Sequence, residues 1–220
     1  MARRSAADAA NTRAEIIVAG RRQFAAKGYA GSAARDIAAA AGVTVGALFH
    51  HFGSKAGLFR TVFEELVGEL NDASLAAFQA APRGDPLGAI VCSMTVALGF
   101  AKKADFHRVV TVDGPVVLGA DEWRAVDSRM GLQTVAGGVR VLKATGVIEN
   151  LPTNPLAVLL LGAMNNAGFA LARSEEGVDV ENVTAVFRRL VEGLAPRDST
   201  IRDGQAMDCP ATTDNHGGAS

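Results

Sequence analysis

The chain has 220 residues, of which 49% are hydrophobic, 20% are charged and 5% are aromatic. This length and apolar content allow a substantial core, either in one domain or in a small domain joined to a larger one. Gly and Ala are frequent, which favours packed helices over a β-sandwich. Two cysteines, Cys92 and Cys209, lie far apart without metal-ligand spacing. We therefore expect no disulfide scaffold and a reducing, cytoplasmic setting.

The formal net charge of −1 hides an uneven distribution of charge. Residues 1–60 hold nine basic and three acidic side chains, a net charge of +6, whereas the remainder holds 13 basic and 20 acidic ones, a net charge of −7. A basic N-terminal part on an acidic body predicts that the first part meets a polyanion. No apolar stretch follows Arg3 and Arg4, so we expect a disordered basic arm over residues 1–9 and no signal peptide.

The first elements along the chain are predicted from apolar spacing and from glycines. Gly28 follows a helically spaced run and is a plausible C-cap, Ser32 is a plausible N-cap for the next helix, and Gly42 ends that helix. Helix, tight glycine turn and helix are the expected order. The three predicted helices span residues 12–27, 33–41 and about 45–52.

The remaining helices are predicted mainly from capping residues. Helices are expected after Ser54, Asp85, Asp121, Asn154 and Asp179, and they should end near residues 80, 103, 144, 172 and 194. The segment 105–119 contains Asp-Gly-Pro and is predicted to be a short helix and then a loop. The polar sequence after residue 196 predicts a disordered tail. The fold class is therefore all-α, with about nine helices.

The most apolar stretch of the chain lies within the next-to-last helix, at residues 156–172. It is a little short for a membrane span, and Asn165 and Asn166 interrupt it. We therefore expect a buried helix and no membrane partner.

The sequence TVGALFHHFGSK, residues 44–55, carries the chemistry expected of a DNA-reading helix. In a helix-turn-helix protein the second helix enters the major groove, so it needs small residues at its start and phosphate donors at its far end. The small residues are Thr44, Val45, Gly46 and Ala47. The donors are His50, His51 and Lys55, the last at a helix N-terminus, where backbone N–H groups also favour phosphate.

The stretch FAAKGYAGSAARDIAAAAGVTVGALFHHFGSKAGLF resembles the N-terminal domain of the TetR family of bacterial transcriptional regulators. The resemblance covers about residues 12–66 and rests on Lys27-Gly28-Tyr29, on residues 35–38 and 41–43, and on residues 48–55. It implies that Leu48 and Phe52 face the domain core. It further implies DNA contacts by Ser32, Arg35, Thr44, Val45, Gly46, Ala47, Phe49, His50, His51 and Lys55, of which His51 and Lys55 hold phosphates.

Three positions depart from the family pattern. The family usually has Thr or Ser where Ala47 stands and Tyr where Phe49 stands, and it often has a polar or basic residue where Val45 stands. The missing hydroxyls remove hydrogen bonds, but apolar side chains still contact thymine methyl groups. The alternative function is therefore a helical small-molecule-binding protein that has lost specific operator recognition.

The body loosely resembles the family's ligand-binding region, which implies a small-molecule pocket and dimerisation through the last two helices. Small residues on the first of these helices would allow close approach: Gly162, Ala163, Ala167 and Gly168. The apolar content suggests an apolar or amphipathic effector. Candidate pocket residues are Phe100, His107, Trp123, Met130, Asn165 and Asn166, although core packing is an alternative for each, and the asparagines could instead bond another helix or a dimer partner.

The sequence contains no nucleotide-binding glycine loop, no zinc-protease motif, no Cys-x-x-Cys pair and no serine nucleophile elbow. We therefore expect neither an enzyme nor a cofactor or metal. The predicted organisation is a basic arm (1–9), a DNA-binding domain (10–70), a ligand-binding and dimerisation domain (71–196) and a tail (197–220). The resemblance implies a homodimeric repressor that binds a pseudo-palindromic operator and is released when a ligand moves the long fourth helix.

Overall fold

The computed structural model describes residues 6–196, apart from the side chains of residues 6, 120, 124 and 127–130. This part of the chain contains ten α-helices, one π-helix and no strand, which confirms the all-α fold. The helices are α1 (Ala6–Gly31), α2 (Ala34–Ala40), α3 (Val45–Phe52), α4 (Lys55–Ala80), α5 (Pro86–Phe100), α6 (Ala104–Phe106), α7 (Gly114–Val117), α8 (Ala120–Ala144), α9 (Thr153–Ala172) and α10 (Val180–Glu192). The π-helix, His107–Asp113, joins α6 to α7. The predicted tail and the first five residues of the predicted arm lie outside the described residues.

Three of the five predicted capping residues do cap their helices. Ser54 accepts a hydrogen bond from the N–H of Gly57 (3.0 Å), Asp85 from Gly88 (2.7 Å) and Asp179 from Asn182 (2.8 Å). The other two predictions were wrong, because α8 follows Gly119 and α9 follows Pro152 without a side-chain cap. Helix α1 also begins at Ala6, inside the predicted disordered arm, since the segment is rich in alanine and Asp8 lies in the first turn.

The segment from residue 104 to 117 is helical throughout, so the predicted loop at Asp113-Gly114-Pro115 is absent. Pro115 lies in the first turn of α7, where its missing N–H costs no helical hydrogen bond. Gly114 is buried, and a Cβ there would come within 3.0 Å of Trp123 and 3.1 Å of Phe63. Glycine thus lets this helical segment pack closely against α4 and α8.

The helices enclose two apolar cores, and α4 connects them. The first core contains Ile16, Phe24, Ile37, Leu48, Phe59 and Phe63 together with Val109 of the π-helix. The second contains Met94, Leu98, Val139, Leu142 and Phe187. We call α1–α3 the head and α5–α10 the body. Helix α4 contributes its first half to the core of the head and packs along α5.

Helix α9 is only half buried, contrary to the prediction. Its length and apolar composition are sufficient for a membrane span, but helices in protein cores often have the same length and composition. Val158 and Leu159 on its outer side are 56% and 71% exposed, whereas Ala157 and Leu171 are buried in the second core. An apolar strip of the body is therefore left uncovered.

The head meets the body at a break in α1. The break lies at Gly28, the residue predicted to end the first helix. Gly28 has a positive φ (69°), and a Cβ there would overlap the guanidinium of Arg108. The break presents the N–H of Tyr29 to Asp113, whose Oδ2 accepts from Tyr29 (2.7 Å) and from Arg108 Nε (3.2 Å). We call Gly28, Tyr29, Arg108 and Asp113 the junction.

A second contact between head and body centres on Arg21. Its guanidinium pairs with Glu69 of α4 and Asp105 of α6, with Nε 2.9 Å from Asp105 Oδ2. The hydrogen bond with Glu69 raises the pKa of Arg21, against an opposing effect of burial, and the bonds to Asp105 add to the rise. Partial burial acts to raise the pKa of Asp105, but hydrogen bonds from Arg21 and the N–H of Phe106 outweigh it, so this pKa is lowered.

The lowered pKa of Asp105 predicts a pH-dependent contribution to stability. Because the folded carboxyl binds its proton less readily than the unfolded one, the stabilisation is present above the usual carboxyl range and is lost as the pH falls below about 4. Asp105→Asn should lower the free energy of unfolding at pH 7, and the difference from wild type should shrink in acid. Urea titrations at several pH values measure this, with the exposed Asp72→Asn as the control. A difference that does not vary with pH would contradict the assignment.

Candidate nucleic-acid interface and ligand cavity

The turn between α2 and α3 is built on Gly42. Its φ is 67°, a conformation that glycine adopts without strain. The N–H of Gly42 donates to the carbonyl of Ala39 (3.1 Å) and that of Val43 to the carbonyl of Ala38 (2.9 Å). This is the Schellman arrangement, which satisfies the last carbonyls of α2 and fixes the direction in which α3 starts.

Helix α3 presents one side to the core of the head and the other to the surface. Thr44 caps it by accepting from the N–H of Ala47 (3.1 Å). Leu48 is fully buried, and Phe52 is half-buried with the guanidinium of Arg13 5.2 Å from its ring centroid. Phe49 is 43% exposed and His50 is exposed. The side that meets the core is the one that the resemblance implied.

Seven of the ten predicted DNA-binding residues lie on or beside the outer side of α3 and α2, whereas Val45 is half-buried and packs against the core of the head. The side chain of Arg35 on α2 is 84% exposed and pairs with its neighbour Asp36 at 3.3 Å. His51 is half-buried, with its ring centroid 5.6 Å from that of His50. We call the following residues the recognition surface: Arg35, Thr44, Gly46, Ala47, Phe49, His50 and His51. Their contact with DNA stays a prediction.

Ser32 does not belong to this surface. It is 1% exposed, and its hydroxyl donates to the carbonyl of Gly28 at 2.7 Å. The residue that precedes α2 is Ala33, which caps it without a side-chain hydrogen bond. The helix cap predicted for Ser32 is wrong, because the break at Gly28 leaves a buried carbonyl that takes this donor. The DNA contact predicted for Ser32 stays a prediction.

Lys55 has a structural role that the sequence did not reveal. Its ammonium donates to the carbonyls of Tyr29 (2.9 Å) and Ser32 (3.0 Å) and lies 4.1 Å from the centroid of the Tyr29 ring. These contacts hold the start of α4 against the turn between α1 and α2. A lysine ammonium has three N–H donors, so one remains for the predicted phosphate.

A cavity of about 520 Å³ lies in the body between α4, the segment 104–117, α5, α8 and α9. Of the predicted pocket residues, Trp123 and Asn165 line it. Helical geometry separates the adjacent asparagines, since Asn166 projects from the exposed side of α9. Asn166 is therefore not a residue of this cavity.

Two further residues predicted for the pocket, Phe100 and His107, do not line this cavity. Phe100 is 6% exposed and packs against Phe106, with 5.7 Å between the ring centroids. The ammonium of Lys103 lies 3.3 Å from the centroid of the Phe100 ring. His107 begins the π-helix and does not line the cavity. The side chain of Met130 lies outside the described residues.

Several cavity residues were missed by the sequence reasoning. Phe106 and Phe169 contribute aromatic walls, and Asn71 and Ser74 contribute polar groups from α4. The signal for the polar pair was present, because both stand three residues apart on the apolar face of α4. The aromatic walls gave no such signal, since their spacing equals that of core residues.

Both regions match protein-family models. Residues 16–62 match the family described as bacterial regulatory proteins, tetR family, and residues 89–194 match the tetracyclin repressor-like C-terminal domain. The chain belongs to the TetR family.

Individual TetR relatives cover the chain to different extents. The regulator TtgR of Pseudomonas putida is 41% identical over 88 residues, which are 40% of this chain and 41% of TtgR, so the match spans about two fifths of that relative. The probable acrEF/envCD operon repressor of Escherichia coli K12 is 28% identical over 85% of this chain and 91% of its own. A TetR-family regulator from Pectobacterium atrosepticum superposes with a TM-score of 0.74 at 29% identity, covering 88% of this chain and 99% of that one. All three are named as regulators or repressors, in agreement with the prediction that the chain is not an enzyme.

The contacts of Lys55 predict that Lys55→Ala lowers the thermal midpoint, because two carbonyls lose a donor worth about 1 kcal/mol each. The variant should also bind specific and scrambled DNA more weakly by a similar factor. Calorimetry and DNA titration measure the two effects. An unchanged midpoint would contradict the structural role, and a salt slope lower by about 0.9 would add the predicted phosphate contact.

Proposed function

We propose that the protein is a homodimeric, ligand-responsive repressor that binds a pseudo-palindromic DNA operator in the cytoplasm. The observation that carries the proposal is the recognition surface of α2 and α3, which lies within the basic first 60 residues of a TetR family member. In such a dimer the two α3 helices enter successive major grooves about 34 Å apart. In this proposal residues 10–70 bind DNA, and residues 71–196 bind the ligand and dimerise.

Within the recognition surface, some side chains would contact DNA phosphates and others would contact bases. Arg35 and His51 would contact phosphates, which fix register and orientation. Ala47, Phe49 and His50 would face base edges, with the two apolar side chains reading thymine methyl groups. The alternative function is a small-molecule-binding protein without specific operator recognition, and it is suggested by Ala47 and Phe49. It differs from the proposed repressor in that the protein would not distinguish one DNA sequence from another.

Fluorescence anisotropy with two labelled duplexes tests the proposal. One duplex carries the DNA upstream of the protein's own gene, the other a scrambled version, and each is titrated at two salt concentrations. We expect tighter binding to the upstream duplex by at least about a thousandfold. Equal, salt-sensitive binding to both duplexes, repeated with DNA upstream of the neighbouring genes, would favour the alternative function.

The exposure of Arg35 yields a further prediction about the interface. Arg35→Ala should weaken binding to both duplexes by a similar factor and lower the slope of log K against log salt by about 0.9. Arg173→Ala is the matched control, because Arg173 is also exposed but lies at the end of α9 in the body. An unchanged slope in Arg35→Ala would show that Arg35 does not contact DNA phosphates.

The dimer would form through the large apolar side chains that α9 and α10 leave exposed. Val158, Leu159, Val186 and Leu190 are 56%, 71%, 59% and 60% exposed, which is unusual for large apolar residues on two neighbouring helices of the body. Gly162 and Ala163 lie one turn after Val158 and Leu159 on α9 and are also exposed, so a partner helix could approach closely. Covering these residues with a second copy buries them from water.

Leu159→Glu should convert the dimer to a monomer, because it places a charge in the centre of the proposed contact. Light scattering after size-exclusion chromatography measures the mass. Val18→Glu is the control, since Val18 is 50% exposed on α1, and this variant should remain dimeric. A Leu159→Glu protein of dimer mass would place the interface elsewhere.

Ligand response would use the elements that the cavity and the head share. Phe106, Val110 and Thr111 line the cavity, while Val109 and Asp113 of the same segment contact the head. Helix α4 likewise lines the cavity with its second half and enters the core of the head with its first. A ligand that fits the cavity best when this segment is displaced would shift the dimer away from the DNA-binding state, since only a difference in affinity moves such an equilibrium.

A further inference from the structure

Ser74 of α4 carries a buried hydroxyl without a hydrogen-bond partner. Four threonines in helices satisfy their hydroxyls by donating to the carbonyl four residues earlier, at 2.8 to 3.2 Å: Thr61, Thr95, Thr145 and Thr184. Ser74 has the same option one turn back and does not use it, although it is only 4% exposed. Buried hydroxyls are nearly always paired, so this one calls for a partner from outside the chain.

The cavity supplies the place for that partner, because Ser74 is one of its lining residues. Asn71 lies one turn earlier on the same side of α4 and also lines the cavity. Its Nδ2 donates to the carbonyl of Val67 (2.8 Å), which orients the amide. A ligand group that both donates and accepts, such as a hydroxyl, would suit Ser74 and the carbonyl oxygen of Asn71.

The rest of the cavity is aromatic and aliphatic. The rings of Trp123 and Phe169 lie 6.0 Å apart, and Phe78 and Phe106 add further aromatic surface. The indole Nε1 of Trp123 already donates to the carbonyl of Val110 (3.0 Å), so Trp123 offers a ligand its apolar ring. These walls match the apolar part of a ligand.

Charge narrows the ligand class further. Among the described lining residues, the one charged side chain is Asp72, and no lysine, arginine or histidine is present. A carboxylate or phosphate in the cavity would lose its hydration without meeting an opposite charge from those residues. An uncharged ligand avoids this cost.

We propose that the cavity binds an uncharged, largely aromatic molecule through a single hydroxyl that bonds Ser74. This inference rests on the proposed function, in which the cavity is the effector site, and it adds the chemical class of the effector and the residue that selects it. The cavity would select ligands that carry a hydroxyl, because that group can bond the otherwise unpaired hydroxyl of Ser74. The apolar walls, in contrast, would accept ligands of many shapes.

The test uses three probes of matched shape: biphenyl, 4-hydroxybiphenyl and biphenyl-4-carboxylate. Trp123 is the single tryptophan of the chain and lines the cavity, so quenching of tryptophan emission in the DNA-free full-length protein reports binding there. We expect the carboxylate to bind most weakly. Ser74→Ala should reduce the preference for 4-hydroxybiphenyl over biphenyl by about fivefold to tenfold, the effect of one hydrogen bond.

Two controls separate a role in binding from a role in folding. Thr95→Ala removes a helical hydroxyl that does not line the cavity and should leave the preference unchanged. Ser74→Ala should keep or raise the thermal midpoint, because it deletes an unpaired buried hydroxyl. A lower midpoint would show that the hydroxyl has a partner within the protein and would overturn the proposal.

The proposal is also overturned if none of the probes binds, if the carboxylate binds best, or if Ser74→Ala leaves the preference intact. Its failure is distinguishable from failure of the proposed function, because these titrations contain no DNA. Specific operator binding without probe selectivity would reject the ligand class alone. Probe selectivity without specific operator binding would retain the site and favour the small-molecule-binding protein.

Discussion

The hydrogen bond from the N–H of Tyr29 to Asp113 is the contact on which the placement of the head depends. Tyr29 acts here through three different groups. Its N–H bonds the body, its carbonyl accepts from Lys55 at the start of α4, and its ring packs against Phe24 and Phe59 in the core of the head, with ring separations of 6.0 and 5.2 Å. The positive φ of Gly28 makes this arrangement possible, because it turns the chain out of α1 where a side chain would meet Arg108.

The junction sets orientation more than it sets stability. A single hydrogen bond contributes about 1 kcal/mol net, whereas burying one large apolar side chain contributes about 2 to 3 kcal/mol. The first core, with its buried phenylalanines, therefore holds the head together, and the junction and the Arg21 ion pairs fix how it lies on the body. In the proposed function, this orientation would change when the segment 104–117 shifts, since the other side of that segment lines the cavity. A repressor that responds to a ligand needs both properties.

The fold was largely predictable from the sequence because its determinants are local. Ser54, Asp85 and Asp179 cap their helices as expected, and Gly28 and Gly42 take positive φ where the apolar pattern stops. The misses come from contacts between distant segments. Lys55 is predicted as a phosphate ligand and is found bound to carbonyls 23 and 26 residues earlier, and Ser32 bonds a carbonyl that only the break at Gly28 exposes. Cavity residues were the hardest to predict, because an aromatic residue facing a cavity and one facing the core occupy the same helical spacing.

The coupling of head and body is tested most directly by differential scanning calorimetry of the wild type and of Asp113→Ala. In the wild type the junction should make the chain unfold in one transition whose calorimetric and van't Hoff enthalpies agree. Removal of the carboxylate leaves the N–H of Tyr29 unpaired and frees Arg108, so the coupling of head and body should weaken. The transition should broaden and its van't Hoff enthalpy should fall below the calorimetric enthalpy, while the midpoint changes only by the effect of about one hydrogen bond. Two transitions already present in the wild type, or a single unchanged transition in Asp113→Ala, would contradict the role given to the junction.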